Sequence, residues 1–141
     1  MHFPQSIHGV YGGEKKLWLT PGSDPSICSA EVEIDATRIQ YRWSYEGKPH
    51  KGVVTLTEGG ASFVDSWHQA TAMQAAPHPS NNAILSVSYC YAGEGPTGWI
   101  WRISLCQRPT GEVVLQMINT TPWGEDCLAV EIIGQSASPG D

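Results

Sequence analysis

The sequence predicts an all-β fold, a single antiparallel up-and-down β-barrel of about eight to ten strands, on three observations. Apolar and aromatic residues recur at every second position in most segments, which is the period of a half-buried strand. Short stretches rich in Gly and Pro separate these segments. No segment of ten or more residues has a convincing amphipathic helical period. Closure into a barrel buries the apolar face and removes both unpaired edges, so we favour it over the alternative, a two-sheet sandwich.

The most regular alternation lies in the first half of the chain. Residues 1–10 are expected to form a loose lead-in, and the turn 46–49 separates two strands of the central hairpin. In the strand before that turn, Tyr41, Trp43 and Tyr45 share the face that we expect to point inward. Strands are predicted over residues 14–20, 29–34, 38–46 and 61–67, and a further strand is predicted to begin near residue 51.

The pattern stops after Trp67. Residues 69–82 have neither period and contain Pro77 and Pro79, so we expect an irregular segment there, with one or two helical turns over 70–76. Such a long loop is a candidate lid or portal. A frayed tail is expected over 136–141. Four further strands are predicted near residues 84–91, 99–106, 113–117 and 128–132.

Length and charge limit the function classes. The 141 residues are expected to form one domain, 1–141, with a barrel core over about 9–134 and short flexible tails. Eight Lys and Arg against 14 Asp and Glu give a net charge of −6, which disfavours binding to nucleic acid. No apolar run is long enough for a membrane helix. The N-terminus lacks a secretory signal pattern, so we expect a cytoplasmic protein.

The cysteines and histidines do not form recognisable metal motifs. Cys28, Cys90, Cys106 and Cys127 include no Cys-x-x-Cys pair. We expect four free thiols, although the even number leaves two disulfides open. The histidines have no zinc-type spacing, and we therefore expect neither a metal nor a cofactor.

Three segments resemble the calycin superfamily of lipocalin and fatty-acid-binding-protein barrels. They are Gly12-Gly13-Glu14 ahead of Leu17, residues 41–49 (Tyr-x-Trp-x-Tyr-Glu-Gly-Lys-Pro) leading to Gly52, and Asp65-Ser66-Trp67. The similarity covers about residues 9–134 as a pattern of strands and glycines, and it is greatest to uncharacterised bacterial domain families of that superfamily. It implies a single barrel with an internal cavity. Haem-binding relatives of the nitrobindin type carry a late ligating histidine, but the last histidine here is His78, so no haem site is inferred.

Asp65 is the most unusual of the predicted interior residues. A carboxylate among inward aromatic side chains is costly unless it has a partner, so it is a candidate polar contact for a ligand. It could instead lie solvated at the rim or pair with an arginine for structural reasons. Likewise, the tryptophans could simply fill a narrow barrel. The candidate ligand-binding residues are Tyr41, Trp43, Tyr45, Asp65, Trp67, Tyr89 and Trp101.

Three functional hypotheses follow. The favoured one is a protein that binds a small, largely apolar or aromatic ligand in the barrel cavity without transforming it. The second is a small enzyme that uses the same cavity, with Asp65 or Tyr41 as acid or base. The third is an interaction module with a filled barrel, and a homodimer is left open. Ser66 and His68 lie on the opposite face of the predicted strand from Asp65, so the three are not expected to converge as a hydrolase triad.

Overall fold

Ten antiparallel strands form a closed barrel in the computed structural model, which describes residues 1–80 and 82–136. Each strand pairs with its neighbours in sequence, and β1 pairs with β10 to close the ring. The predicted up-and-down barrel is therefore confirmed, and the two-sheet alternative is not formed. The strands are β1 (Gly9–Leu17), β2 (Ser26–Ile34), β3 (Arg38–Tyr45), β4 (Lys48–Thr57), β5 (Gly60–Asp65), β6 (Gln69–Pro77), β7 (Leu85–Ala92), β8 (Trp99–Gln107), β9 (Val113–Thr120) and β10 (Asp126–Ser136).

The strand register follows the predicted alternation. In β3, Tyr41 and Trp43 are buried, whereas Arg38 and Arg42 on the opposite face are exposed. Arg42 forms ion pairs with glutamates of the neighbouring β2 on the outer surface. The aromatic face of this strand thus points into the barrel.

The N-terminal segment closes one end of the barrel, contrary to the loose lead-in that we expected. Residues Gln5–Ile7 form one turn of 3-10 helix, and Phe3 and Ile7 are buried. The Tyr11 hydroxyl donates to the Ile7 carbonyl (2.7 Å), and the Phe3 amide donates to the Ala36 carbonyl (2.7 Å). Two apolar side chains with these anchors act as a plug. We call the opposite end, where loops 18–25, 46–47, 66–68, 93–98 and 121–125 lie, the mouth.

The first strand begins earlier than predicted. Gly12 and Gly13, which directly precede the predicted start at residue 14, lie within β1. A Cβ added at Gly13 would overlap the carbonyl of Ile133 on β10. Glycine here allows the close approach of the two strands that close the ring.

The irregular segment predicted over 69–82 is wrong for most of its length, because Gln69–Pro77 forms β6. This strand pairs with β5 through Phe63 and Met73 and with β7 through Ala76 and Pro77. Its small and polar side chains are mostly exposed, so it has no apolar face to produce a period. Pro77 is tolerated because it is the last residue of the strand. The predicted lid therefore does not exist over 69–77. Asn81, in the rest of that segment, lies outside the described residues. So do residues 137–141 of the predicted tail.

Side chains fill the middle of the barrel. Phe63, Ile103, Leu115, Met117 and Ile132 are almost fully buried there. The four cysteines, all within the described ranges, form no disulfide. Among residues 1–80 and 82–136, no helix has the length and apolar character needed to cross a membrane.

Candidate functional site at the mouth of the barrel

The base of the site is formed by three residues that lie side by side on β3, β4 and β5. Tyr41 pairs with Gly52, and Gly52 pairs with Asp65. A Cβ at Gly52 would overlap the Tyr41 ring. Because Gly52 has no side chain, the ring crosses it and the Tyr41 hydroxyl donates a hydrogen bond to Asp65 Oδ2. Burial and the Asp65 carboxylate raise the pKa of Tyr41 well above its ordinary value, so the phenol stays protonated.

Asp65 also shapes the turn that covers the mouth. Its Oδ1 accepts hydrogen bonds from the backbone amides of Trp67 (2.6 Å) and His68 (2.9 Å). The carboxylate is buried, with 1% of the residue exposed, and its partners are a tyrosine and two amides, not an arginine. This finding corrects the alternative in which Asp65 is solvated at the rim. It also explains why β5 ends at Asp65 and not at Trp67 as predicted.

Aromatic rings pack in a layer above this base. The Trp43 ring stacks on His50, with centroids 4.8 Å apart. The Trp67 ring packs edge-on against Trp43 (5.6 Å), Tyr45 (5.0 Å) and His50 (5.1 Å). On the other side of the mouth, His68 lies 4.8 Å from Trp101. Rings from four segments of the chain therefore converge at one end of the barrel.

Lys15 is a functional candidate that the sequence interpretation missed. Its side chain points inward from β1, it is 0% exposed, and its Nζ lies 2.9 Å from the centre of a Trp43 ring. Burial lowers the pKa of Lys15 to about 7, although the nearby Asp65 carboxylate opposes that shift. Lys15 was not among the predicted site residues. Its alternation with Tyr11 and Leu17 was the signal that could have found it.

Several buried nitrogen atoms at the mouth have no hydrogen-bond partner within the described part of the chain. Buried donors without partners are rare in folded proteins, and each costs about 1–3 kcal/mol. Two of the residues concerned, His68 and Trp101, line a cavity of about 250 Å³ together with Leu17 and Trp67. The unpartnered atoms are Lys15 Nζ, Trp43 Nε1, His50 Nε2, His68 Nε2 and Trp101 Nε1.

His68 is a neutral polar group in this cavity. Burial lowers the pKa of His68 to about 4, and the positive charge of Lys15 acts in the same direction. At neutral pH the imidazole is therefore uncharged, and its Nε2 either donates or accepts according to the tautomer. The neutral ring can therefore form a hydrogen bond with a polar group of a ligand, and its Nε2 can take up and release a proton.

The structure brings together some of the seven predicted site residues. Trp67 and Trp101 line the cavity, whereas Tyr41 and Asp65 lie beneath the aromatic layer. Trp67 lies in the β5–β6 turn and is 37% exposed, so its predicted place on the lumen face of a strand is wrong. The remaining three lie as follows: Trp43 and the half-buried Tyr45 pack against Trp67, and Tyr89 donates its hydroxyl to Gln69 (3.0 Å).

His50 and His68, which the sequence interpretation did not place in the site, belong to it. His50 Nδ1 lies 2.9 Å from Ser66 Oγ, so Ser66 pairs with a histidine of the adjacent strand and not with His68. Both histidines follow or precede turns, where strand periodicity gives no orientation. No group of three or more His, Cys, Asp or Glu side chains converges as a metal site in residues 1–80 and 82–136.

The closed ten-strand barrel is consistent with a calycin-like fold. No protein-family model matches the chain, and neither a curated protein nor a solved structure shows significant similarity to it.

Proposed function

We propose that this protein binds a small molecule with an apolar or aromatic body and at least one hydrogen-bond acceptor at the mouth of the barrel. The observation that carries the proposal is the pair of unpartnered nitrogens, His68 Nε2 and Trp101 Nε1, on residues that line the 250 Å³ cavity. A ligand oxygen that accepts from either nitrogen removes the cost of leaving it unpaired. We also propose membership of a calycin-type family, which the closed ten-strand up-and-down barrel supports.

The size and lining of the cavity support a compact ligand. A cavity of about 150 Å³ holds benzene, so about 250 Å³ suits a molecule of one or two rings. The lining combines apolar side chains, which include Leu17, Trp67 and Leu128, with polar atoms, and this matches an aromatic or aliphatic body that carries a polar group. Because packed side chains occupy the middle of the barrel, we propose binding at the mouth and not deep in the lumen.

The rim around the mouth supports entry of an apolar ligand. Seven large apolar residues are exposed within residues 1–80 and 82–136, and five of them lie in or beside the mouth loops. Exposed apolar surface of this kind is typical of binding sites when it surrounds a cavity. The residues are Leu19, Ile27, Trp67, Tyr91 and Trp123.

The acid–base alternative has less support from the geometry. Tyr41 and two backbone amides already donate to the oxygens of Asp65, and the carboxylate is 1% exposed and so out of reach of a substrate. A general base needs a free lone pair within reach of substrate. We therefore propose that Asp65 and Tyr41 position the turn and the aromatic layer, and we do not propose them as catalytic residues.

Two ligands of similar size test the proposal. Benzamide carries a carbonyl acceptor and toluene carries none, so we expect benzamide to bind the wild-type protein more tightly. One hydrogen bond of about 1 kcal/mol corresponds to roughly a five-fold preference. The indole N–H signals in a heteronuclear NMR titration report both affinity and location.

Two tryptophan variants locate the contact. Trp101→Phe removes the buried donor but keeps an aromatic ring, and it should reduce the preference for benzamide. Trp99→Phe is the matched control, because Trp99 belongs neither to the cavity lining nor to the exposed apolar rim. Equal affinity for benzamide and toluene, or no binding of either, would refute the proposal.

A further inference from the structure

We propose that Lys15 Nζ is a nucleophile that forms a reversible imine with an aldehyde or ketone ligand at the mouth. The inference rests on the proposed function and narrows its ligand class to carbonyl compounds. Its basis is a lysine that is 0% exposed, has no hydrogen-bond partner for Nζ among the described residues, and packs its Nζ against the face of the Trp43 ring.

Lys15 does not itself line the cavity, but two of its neighbours connect it to the cavity wall. The next inward residue of β1 toward the mouth is Leu17, which lines the cavity. The Trp43 ring under which Nζ packs is in contact with Trp67, a second lining residue. Residues two apart on a strand are about 7 Å apart, which is within the reach of the four-carbon lysine stem.

The surroundings suit formation of an imine at neutral pH. An amine attacks a carbonyl only in its neutral form, and burial lowers the pKa of Lys15 to about 7, so about half of the amines are neutral at that pH. The Trp43 ring face stabilises the charged form and keeps the amine in place. The Asp65 carboxylate, which acts electrostatically on Lys15, favours a protonated imine in the same way.

The reaction needs no further reagent. The Nζ lone pair forms a bond to the carbonyl carbon, the C=O π electrons move to oxygen, and a proton passes from nitrogen to that oxygen. The resulting carbinolamine loses its hydroxyl, with a proton, as water, and the C=N bond forms. Aldehyde plus amine thus becomes imine plus water. The neutral His68 imidazole, which lines the cavity, can carry the proton between nitrogen and the leaving oxygen.

Reductive trapping tests the inference on the wild-type protein. The full chain is incubated at pH 7 with benzaldehyde and sodium cyanoborohydride, which reduces an imine to a stable secondary amine. Peptide mapping then compares the chain's lysines at 15, 16, 48 and 51. We expect one benzyl group per chain, with at least ten-fold more label on Lys15 than on any other lysine. Equal labelling of all lysines, or label confined to exposed ones, would overturn the inference.

Variants and a second ligand separate this inference from the proposed function. Lys15→Met should abolish the label, whereas Lys48→Met, a change at an exposed lysine, should leave it unchanged. If Lys15→Met does not fold, the wild-type map alone decides the question. Benzamide, which does not form an imine, measures cavity occupancy in parallel. Binding of benzamide without label on Lys15 refutes the imine and supports the proposed function, and the absence of both refutes the two together.

Discussion

Gly52 decides whether Tyr41 reaches Asp65. The Tyr41 ring lies across the backbone of Gly52, and that path leads its hydroxyl to the carboxylate that holds the β5–β6 turn. One missing side chain on β4 therefore controls the position of Trp67 and His68 at the mouth. The geometry of the site therefore depends on the space that Gly52 leaves for the Tyr41 ring as much as on the hydrogen bonds of Asp65.

Replacing Gly52 by alanine should destabilise the protein. The new Cβ overlaps the Tyr41 ring, so overpacking and loss of the buried hydrogen bond to Asp65 should together cost roughly 2–4 kcal/mol. Urea denaturation of the wild type and the variant measures this difference.

Gly12→Ala is the matched control, since no atom lies within 4 Å of an added Cβ and Gly12 is exposed on another strand. Its free energy of unfolding should be unchanged or slightly higher. Equal stability of Gly52→Ala and Gly12→Ala would show that Tyr41 does not need the space above Gly52.

At the scale of the element, β6 is the weakest part of the wall. It pairs with β7 only at Ala76 and Pro77. The side chains of residues 70–72, near the β5–β6 turn, are exposed. The same lack of an apolar face hid this strand in the sequence. A strand with few buried contacts still forms here because β5 pairs with its backbone and because ring closure requires it.

Amide hydrogen exchange should be faster in β6 than in the central hairpin. Because its pairing with β7 is short, residues 70–73 should exchange in local openings that do not require global unfolding. Val53 and Val54 on β4, which pair on both sides, are the internal reference. Exchange mass spectrometry at neutral pH makes the comparison, and equal protection of the two segments would contradict it.

At the scale of the whole molecule, the barrel takes a lysine and a histidine out of water, and this links stability to pH. The pKa of Lys15 is about 7 in the folded state, against about 10.4 for an ordinary lysine. Between these values the unfolded chain holds a proton that the folded protein has released. Stability must therefore rise as pH increases from about 7.

Lys15→Met should remove this rise. The wild-type free energy of unfolding should increase by up to about 1.4 kcal/mol per pH unit above pH 7, and the methionine variant should show a much smaller slope. Urea denaturation between pH 7 and 8 keeps most thiols protonated, since an ordinary cysteine has a pKa of about 8.5. If the free energy of unfolding changes equally with pH in the two proteins, Lys15 keeps its ordinary pKa in the folded state.

The sequence by itself determined the fold class and the inward face of most strands. Alternation is a local property, because neighbouring side chains of a strand point to opposite faces whatever the rest of the chain does. Tyr41, Trp43, Asp65 and Trp101 were placed inward on that ground alone.

Only the tertiary structure decided which end of the barrel is plugged, that β6 is a strand, and which side chains meet at the mouth. Lys15, Trp43, His50, His68 and Trp101 come from distant parts of the chain and meet through strand register and ring closure. Their burial, and so the pKa values of Lys15 and His68, depends on that convergence and not on the residues beside them in sequence. Periodicity shows the face of a strand to which a side chain belongs, but the residues that surround it are set by the pairing of the whole sheet.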